Sequence, residues 1–166
     1  MDLDTLYRVP QDLIFRHLKQ DIRHNSLDLA VLCACEDPYI SRKTVYNTMP
    51  LINRRGIILA KTTYEGISDL LKISDYSKVI IEQETANPFV AICNGEYNLD
   101  ATVVNKNVVD NYVETMSPNA NILFAGDRVA LHAIRAKQMC NSVMVYCDNH
   151  MFCVKLKNEG LKEVWT

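Results

Sequence analysis

The sequence predicts an α+β protein, with an N-terminal winged helix-turn-helix followed by a small α/β domain built on a mixed sheet. Three observations predict it. Apolar residues recur at helical spacing in three successive stretches before Gly56, a β-prone run follows the third, and the remainder alternates strand-like with helix-like patterns.

Pro10 suits the first turn of a helix on which Ile14, Phe15, Leu18 and Ile22 share one face. Ser26 is a suitable N-cap for a second helix carrying Leu29, Leu32 and Cys33 inward, and Asp37-Pro38 ends it. A third helix is expected from Ser41, with Ile40 stapled on Val45 and with Val45, Met49 and Ile52 forming a buried stripe. Pro50 deletes a hydrogen bond in that helix and predicts a kink or an early end, while Gly56 is placed to terminate it. Ile57-Ile58-Leu59 then begins the wing that carries Lys61.

Beyond a boundary placed near Glu65–Tyr76, Lys78–Gln83, Phe89–Cys93, Ala101–Val104 and Asn121–Ala125 read as strands. Helical patterns cover Asn105–Met116 and Asp127–Met139. The end reads as a hairpin, SVMVYC and HMFCVKL joined at Asp148-Asn149, residues that tolerate the positive φ of a tight turn. The expected domains are residues 1–65, for DNA binding, and 76–166, for dimerisation or ligand sensing.

The 166 residues suffice for one domain or two small ones. No apolar run approaches the length of a membrane span, and the acidic start MDLDTLYRVPQD lacks the pattern of a signal peptide, so a cytoplasmic setting is expected. The six cysteines, Cys33, Cys35, Cys93, Cys140, Cys147 and Cys153, include no Cys-x-x-Cys pair and fit reduced thiols. The net charge is −2, unevenly spread. Pro38 to Tyr64 holds Arg42, Lys43, Arg54, Arg55 and Lys61 with no acid, whereas from Glu65 onward nine Lys/Arg face thirteen Asp/Glu. A basic island on an acidic chain fits a compact DNA-contacting surface, although a solvated basic face would look the same.

In a winged helix the third helix enters the major groove. Its face opposite Val45 presents Lys43, Asn47, Pro50 and Arg54, flanked by Arg42, Thr44 and Tyr46. The candidate DNA-binding residues are therefore Ser41, Arg42, Lys43, Thr44, Tyr46, Asn47, Arg54, Arg55 and Lys61, the last three holding the phosphate backbone. The run from His24 to Ile58, with Ser41-Arg42-Lys43-Thr44-Val45-Tyr46 at its centre and Arg8-Val9-Pro10-Gln11 upstream, resembles the DNA-binding half of the ferric uptake regulator family. The resemblance covers roughly residues 8–60. It implies DNA contact through Tyr46 and its neighbours and a dimerisation domain behind the wing. Asn47 stands where that family has arginine, and the family's His-x-His and Cys-x-x-Cys metal ligands are absent, so neither a metal nor a cofactor is expected.

Other constellations are weighed against plainer readings. Cys140, Cys147, His150 and Cys153 have zinc-ligand chemistry but read as hairpin residues. Gly126-Asp127 follows a strand and opens a helix, where α/β folds bind ligands, but without a glycine-rich fingerprint Asp127 reads as an N-cap. Glu82, Glu84 and Asp100 read as a solvated strand face, and His132 as a half-buried core residue. The expected function is a sequence-specific double-stranded-DNA-binding transcriptional regulator, a dimeric repressor rather than an enzyme, with a small-molecule or metal effector unidentified. The alternatives are a winged-helix protein–protein adaptor, or a nucleic-acid-related enzyme using the C-terminal half through Asp127 and the strand acids.

Overall fold

A computed structural model describes residues 22–33, 42–81, 88–94, 108–126, 130–146, 150–158, 160–161 and 163–165. In it the stretch after Ser26 is a strand, β1 (Leu27–Cys33), not the expected second helix. Every β1 residue but Asp28 is buried. A segment buried on both faces belongs in the middle of a sheet, and its unbroken apolar run imitates helical spacing. The third helix is real but short. Helix α1 (Arg42–Thr48) gives way to a single 3-10 turn, Met49–Leu51, with Pro50 in it. The expected wing is instead part of a ten-residue strand, β2 (Ile52–Lys61).

Helix α2 (Tyr64–Leu71) follows, capped by the Thr63 hydroxyl, which accepts from the Gly66 amide at 3.1 Å. Next come β3 (Ser77–Ile81), β4 (Phe89–Cys93), α3 (Val108–Thr115), β5 (Asn121–Gly126), α4 (Ala130–Met139) and β6 (Ser142–Tyr146). The last described elements are α5 (His150–Asn158) and β7 (Glu163–Trp165). The C-terminal hairpin is thus corrected: HMFCVKL is helical, and β6 pairs in parallel with β7 across it. The expected first helix and the strand over Ala101–Val104 lie outside the described residues.

The seven described strands form one sheet in the order β3-β4-β2-β1-β5-β6-β7. β2, β1, β5, β6 and β7 are parallel neighbours, and β4 runs antiparallel to both β2 and β3. The spans 1–65 and 76–166, expected to be separate, contribute strands to this same sheet through the β1–β5 and β2–β4 pairings. A three-helix winged domain is therefore not formed, and α1 lies against the sheet rather than free to enter a groove.

Helices cover both faces. On one, Val45, Met49, Leu51 and Leu70 pack on Ala30, Leu32, Ile58, Ala60 and Leu123. On the other, Val109, Tyr112, Val113, Ala133, Ala136 and Leu156 pack on Leu29, Val31, Leu59, Ile122 and Phe124. The chain leaves β1 through α1 toward β2, and leaves β5 through α4 on the opposite face toward β6. This is doubly wound topology, and its direction reverses between β1 and β5.

Candidate functional site

In an open, doubly wound sheet, ligands bind outside the carboxyl ends of the strands where the winding reverses, because the loops diverge there and leave a crevice. In this chain that place is the paired ends of β1 and β5, where Cys33 lies opposite Gly126. Gly126 has a φ of +111°, and a Cβ on it would sit 1.2 Å from the Cys33 carbonyl oxygen. Only glycine fits, so the two backbones meet at the crevice with no side chain between them.

The same edge carries further polar groups. Lys61 closes β2, with its Nζ 6.0 Å from the centre of the Phe89 ring, which begins β4. Thr62 is fully buried, and among the described residues its hydroxyl oxygen has no hydrogen-bond partner. Tyr64, just beyond, is 62% exposed. On the face covered by α3 and α4, Asp110 accepts from the Arg135 guanidinium at 2.9 Å and lies 3.6 Å from His132 Nδ1. That distance is too long for a hydrogen bond, and among the described residues Nδ1 is buried without a partner. Burial pushes the His132 imidazole below its ordinary value, outweighing the opposite pull of Asp110. His132, expected as a half-buried core residue, is partly buried here and close enough to Lys61 to feel its charge.

The residues expected to contact DNA are dispersed. Arg42 pairs with Asp69 of α2 at 3.1 Å, and its amide approaches the same carboxylate at 3.4 Å, tying α1 to α2. Thr44 is a buried residue of α1, Asn47 is partly exposed, and Tyr46, 38% exposed, stacks at a tilt on Tyr76 with ring centres 5.9 Å apart. Arg54 and Arg55 are exposed near the start of β2, at the amino edge of the sheet, while Lys61 is at the carboxyl edge. About 20 Å of strand separates the arginines from the lysine at ~3.3 Å per residue. No single helix face collects them. Ser41 and the Lys43 side chain lie outside the described residues.

The segments that follow β1, β5 and β6 in sequence, 34–41, 127–129 and 147–149, also lie outside the described residues, and with them Asp127 and Asp148. So do Glu82, Glu84 and Asp100. Of the four zinc-type residues Cys140 is a buried thiol, His150 and Cys153 lie on α5, and Cys147 lies outside the described residues; among the described residues no three His, Cys, Asp or Glu side chains are grouped to hold a metal. Sequence reasoning identifies Gly126 as a strand end but misses its contact with Cys33, ninety-odd residues earlier in the chain.

No family profile matches the sequence, and no curated protein does. Among solved structures, the crystal structure of M1.HpyAVI superposes with a TM-score of 0.60 at 11% identity, covering 90% of this chain and 94% of that one. The crystal structure of the M1.HpyAVI–SAM complex gives 0.59 at 10% identity, covering 90% and 95%. M1.HpyAVI is a SAM-dependent DNA methyltransferase. This likeness and the single doubly wound sheet overturn the ferric uptake regulator resemblance and the winged-helix class. The transcriptional repressor, and the expectation that the chain is no enzyme, rested on that class and fall with it. The described residues share the doubly wound fold of those two structures.

Proposed function

We propose that this protein is a methyltransferase that binds SAM in the crevice between β1 and β5 and acts on DNA. The observation that carries the proposal is the side-chain-free approach of Gly126 to Cys33 at the winding reversal, on a fold shared with a SAM-bound structure. The residues present fit such a nucleoside in two respects. The Cβ-free end of β5 lets β1 and β5 meet backbone to backbone at the winding reversal, the place where such folds bind ligands. In sequence, Asp148 follows β6 by two residues and Gly126 by about twenty, the interval at which such folds place an acid for the ribose hydroxyls. The chain departs from those folds in having one glycine here rather than a glycine-rich loop.

When bound, SAM supplies a methyl group on a positively charged sulfur, open to attack by a nucleophilic nitrogen. The protein's own work is to bind and orient. Gly126 would let the ends of β1 and β5 meet beneath the nucleoside, Asp148 would hold its ribose, and Lys61, at the end of β2, would offer a cation to a DNA phosphate entering beside it. Enzymes that modify a base must take it out of the stack, and the carboxyl edge is where an extruded base would meet the methyl group.

The experiment is transfer of labelled methyl from SAM to duplex DNA, with and without Asp148→Ala. Label in DNA that depends on Asp148 supports the proposal; no label above background under any condition tested rejects it. Two further expectations from the sequence are carried as separate proposals. A homodimer would give twice the 18.9 kDa chain mass by light scattering, and a single-chain mass would reject it. A cytoplasmic setting fits the buried Cys33, Cys93 and Cys140, which form no disulfide among the described residues. No described helix is long and apolar enough to cross a membrane.

A further inference from the structure

We infer that the amino edge of the sheet, remote from the crevice, is a second nucleic-acid contact that grips the phosphate backbone without reading sequence. The inference deepens the reading of DNA as partner, but its surface is separate from the crevice. The register of β1 on β2 jumps from Leu27↔Ile52 to Leu29↔Ile57, so residues 53–56 bulge out of the ladder. Asn53, Arg54, Arg55 and Gly56 make up that bulge.

The bulge is fixed in place. Asn53 Nδ2 donates to Asp28 Oδ1, and Asn53 Oδ1 accepts from the Arg55 amide at 3.0 Å. Asp28 Oδ2 accepts from the Asn121 amide at 2.8 Å, which anchors the assembly to β5. A Cβ on Gly56 would stand 2.7 Å from the Leu27 carbonyl oxygen and 2.4 Å from Ile52 Cγ2, so the bulge closes tightly on β1. Held this way, Arg54 and Arg55 are exposed. Arg23 and His24, also exposed, lie just before β1, where the Asn25 and Ser26 amides donate to the Pro50 and Leu51 carbonyls at 3.0 Å.

Three arginines thus border one edge. Among the described residues of these stretches, 22–28 and 49–56, the one acid is Asp28, and its carboxylate is engaged with Asn53 and Asn121. The same stretches hold no exposed large apolar side chain. Protein–protein interfaces are centred on apolar and aromatic anchors, whereas a polyanionic backbone needs only fixed cations. The patch therefore fits nucleic-acid phosphates better than an acidic protein.

The test is binding of random-sequence duplex DNA by the full chain across a salt series, for the parent, R54Q/R55Q, R54K/R55K and K155Q/K157Q. The last pair removes the same charge from exposed positions of α5. Losing two phosphate contacts should flatten the slope of log affinity against log salt by about 1.8, from ~0.9 per contact. R54K/R55K should keep most of the slope, and K155Q/K157Q should match the parent. SAM affinity of every variant should equal the parent's, which separates this surface from the crevice: loss of SAM binding by the parent would count against the proposed function alone. An R54Q/R55Q slope equal to the parent's, an equal loss in K155Q/K157Q, or a parent that binds polyglutamate but no DNA would each overturn the inference.

Discussion

Replacing Gly126 by alanine tests the geometry on which the crevice depends. The new methyl group meets two obstacles. A φ of +111° is one that L side chains rarely adopt, which costs about 1–3 kcal/mol. The Cβ would also lie 1.2 Å from the Cys33 carbonyl oxygen and 2.4 Å from its carbon, backbone atoms that cannot rotate away, so β1 and β5 must separate. Overpacking of that kind costs about another 1–3 kcal/mol. The total, about 4 kcal/mol, is a large part of the ~5–15 kcal/mol that stabilises an ordinary domain. At ~2–4 °C per kcal/mol for a chain of this size, Tm should fall by about 8–16 °C. Gly160→Ala is the control, since Gly160 has a φ of +93° but a methyl group there would meet nothing within 4 Å, so only the backbone strain applies. Thermal and urea unfolding of the two variants should therefore differ by the cost of the clash. Equal destabilisation of both would show that β1 and β5 do not meet as described, and the crevice would lose its basis.

Three other perturbations have defined outcomes. Because burial lowers the His132 pKa in the folded state, the unfolded chain binds more protons between that value and about 6.5. Stability is then complete above pH ~6.5 and falls as pH drops through that window; His132→Gln should flatten the urea midpoint between pH 5.5 and 7.5, and an unchanged profile would contradict the assignment. Asp28→Ala strands the Asn121 amide and the Asn53 side chain together, which should cost about 1–3 kcal/mol in urea unfolding, and a cost near zero would mean the clamp is not formed. Arg42→Ala breaks an ion pair whose side chains are 48% and 25% exposed, so a loss below about 1 kcal/mol is expected, and a larger one would reveal a structural role beyond the Asp69 contact.

The sequence is most informative where strands are bounded by polar or turn residues. Phe89–Cys93 and Asn121–Ala125 are strands as read, the second running one residue further to Gly126, and helices occupy Val108–Thr115 and Ala130–Met139 inside the expected spans. Pro50 correctly signals an early end to the third helix, which stops at Thr48. β1 reads as a helix because Leu29, Leu32 and Cys33 fall at helical spacing within a run where Ala30 and Val31 are equally buried. Periodicity does not distinguish a helix from a strand covered on both sides. That error makes three helices before a β-run, and the Thr44-Val45-Tyr46 resemblance then fits a fold that is not there. HMFCVKL fails for a related reason: Asp148-Asn149 reads as a tight turn, although parallel β6 and β7 require a crossover helix. The crevice is out of reach of the sequence because the need for glycine at 126 comes from the Cys33 carbonyl, which pairing alone brings near.

The most direct test of the central claim is calorimetric titration of the purified protein with SAM. Saturable binding of one SAM per chain, weakened at least tenfold by Asp148→Ala, is the predicted result. A folded, monodisperse protein that takes up no SAM at millimolar concentration would contradict it, leaving a doubly wound sheet without the cofactor's chemistry.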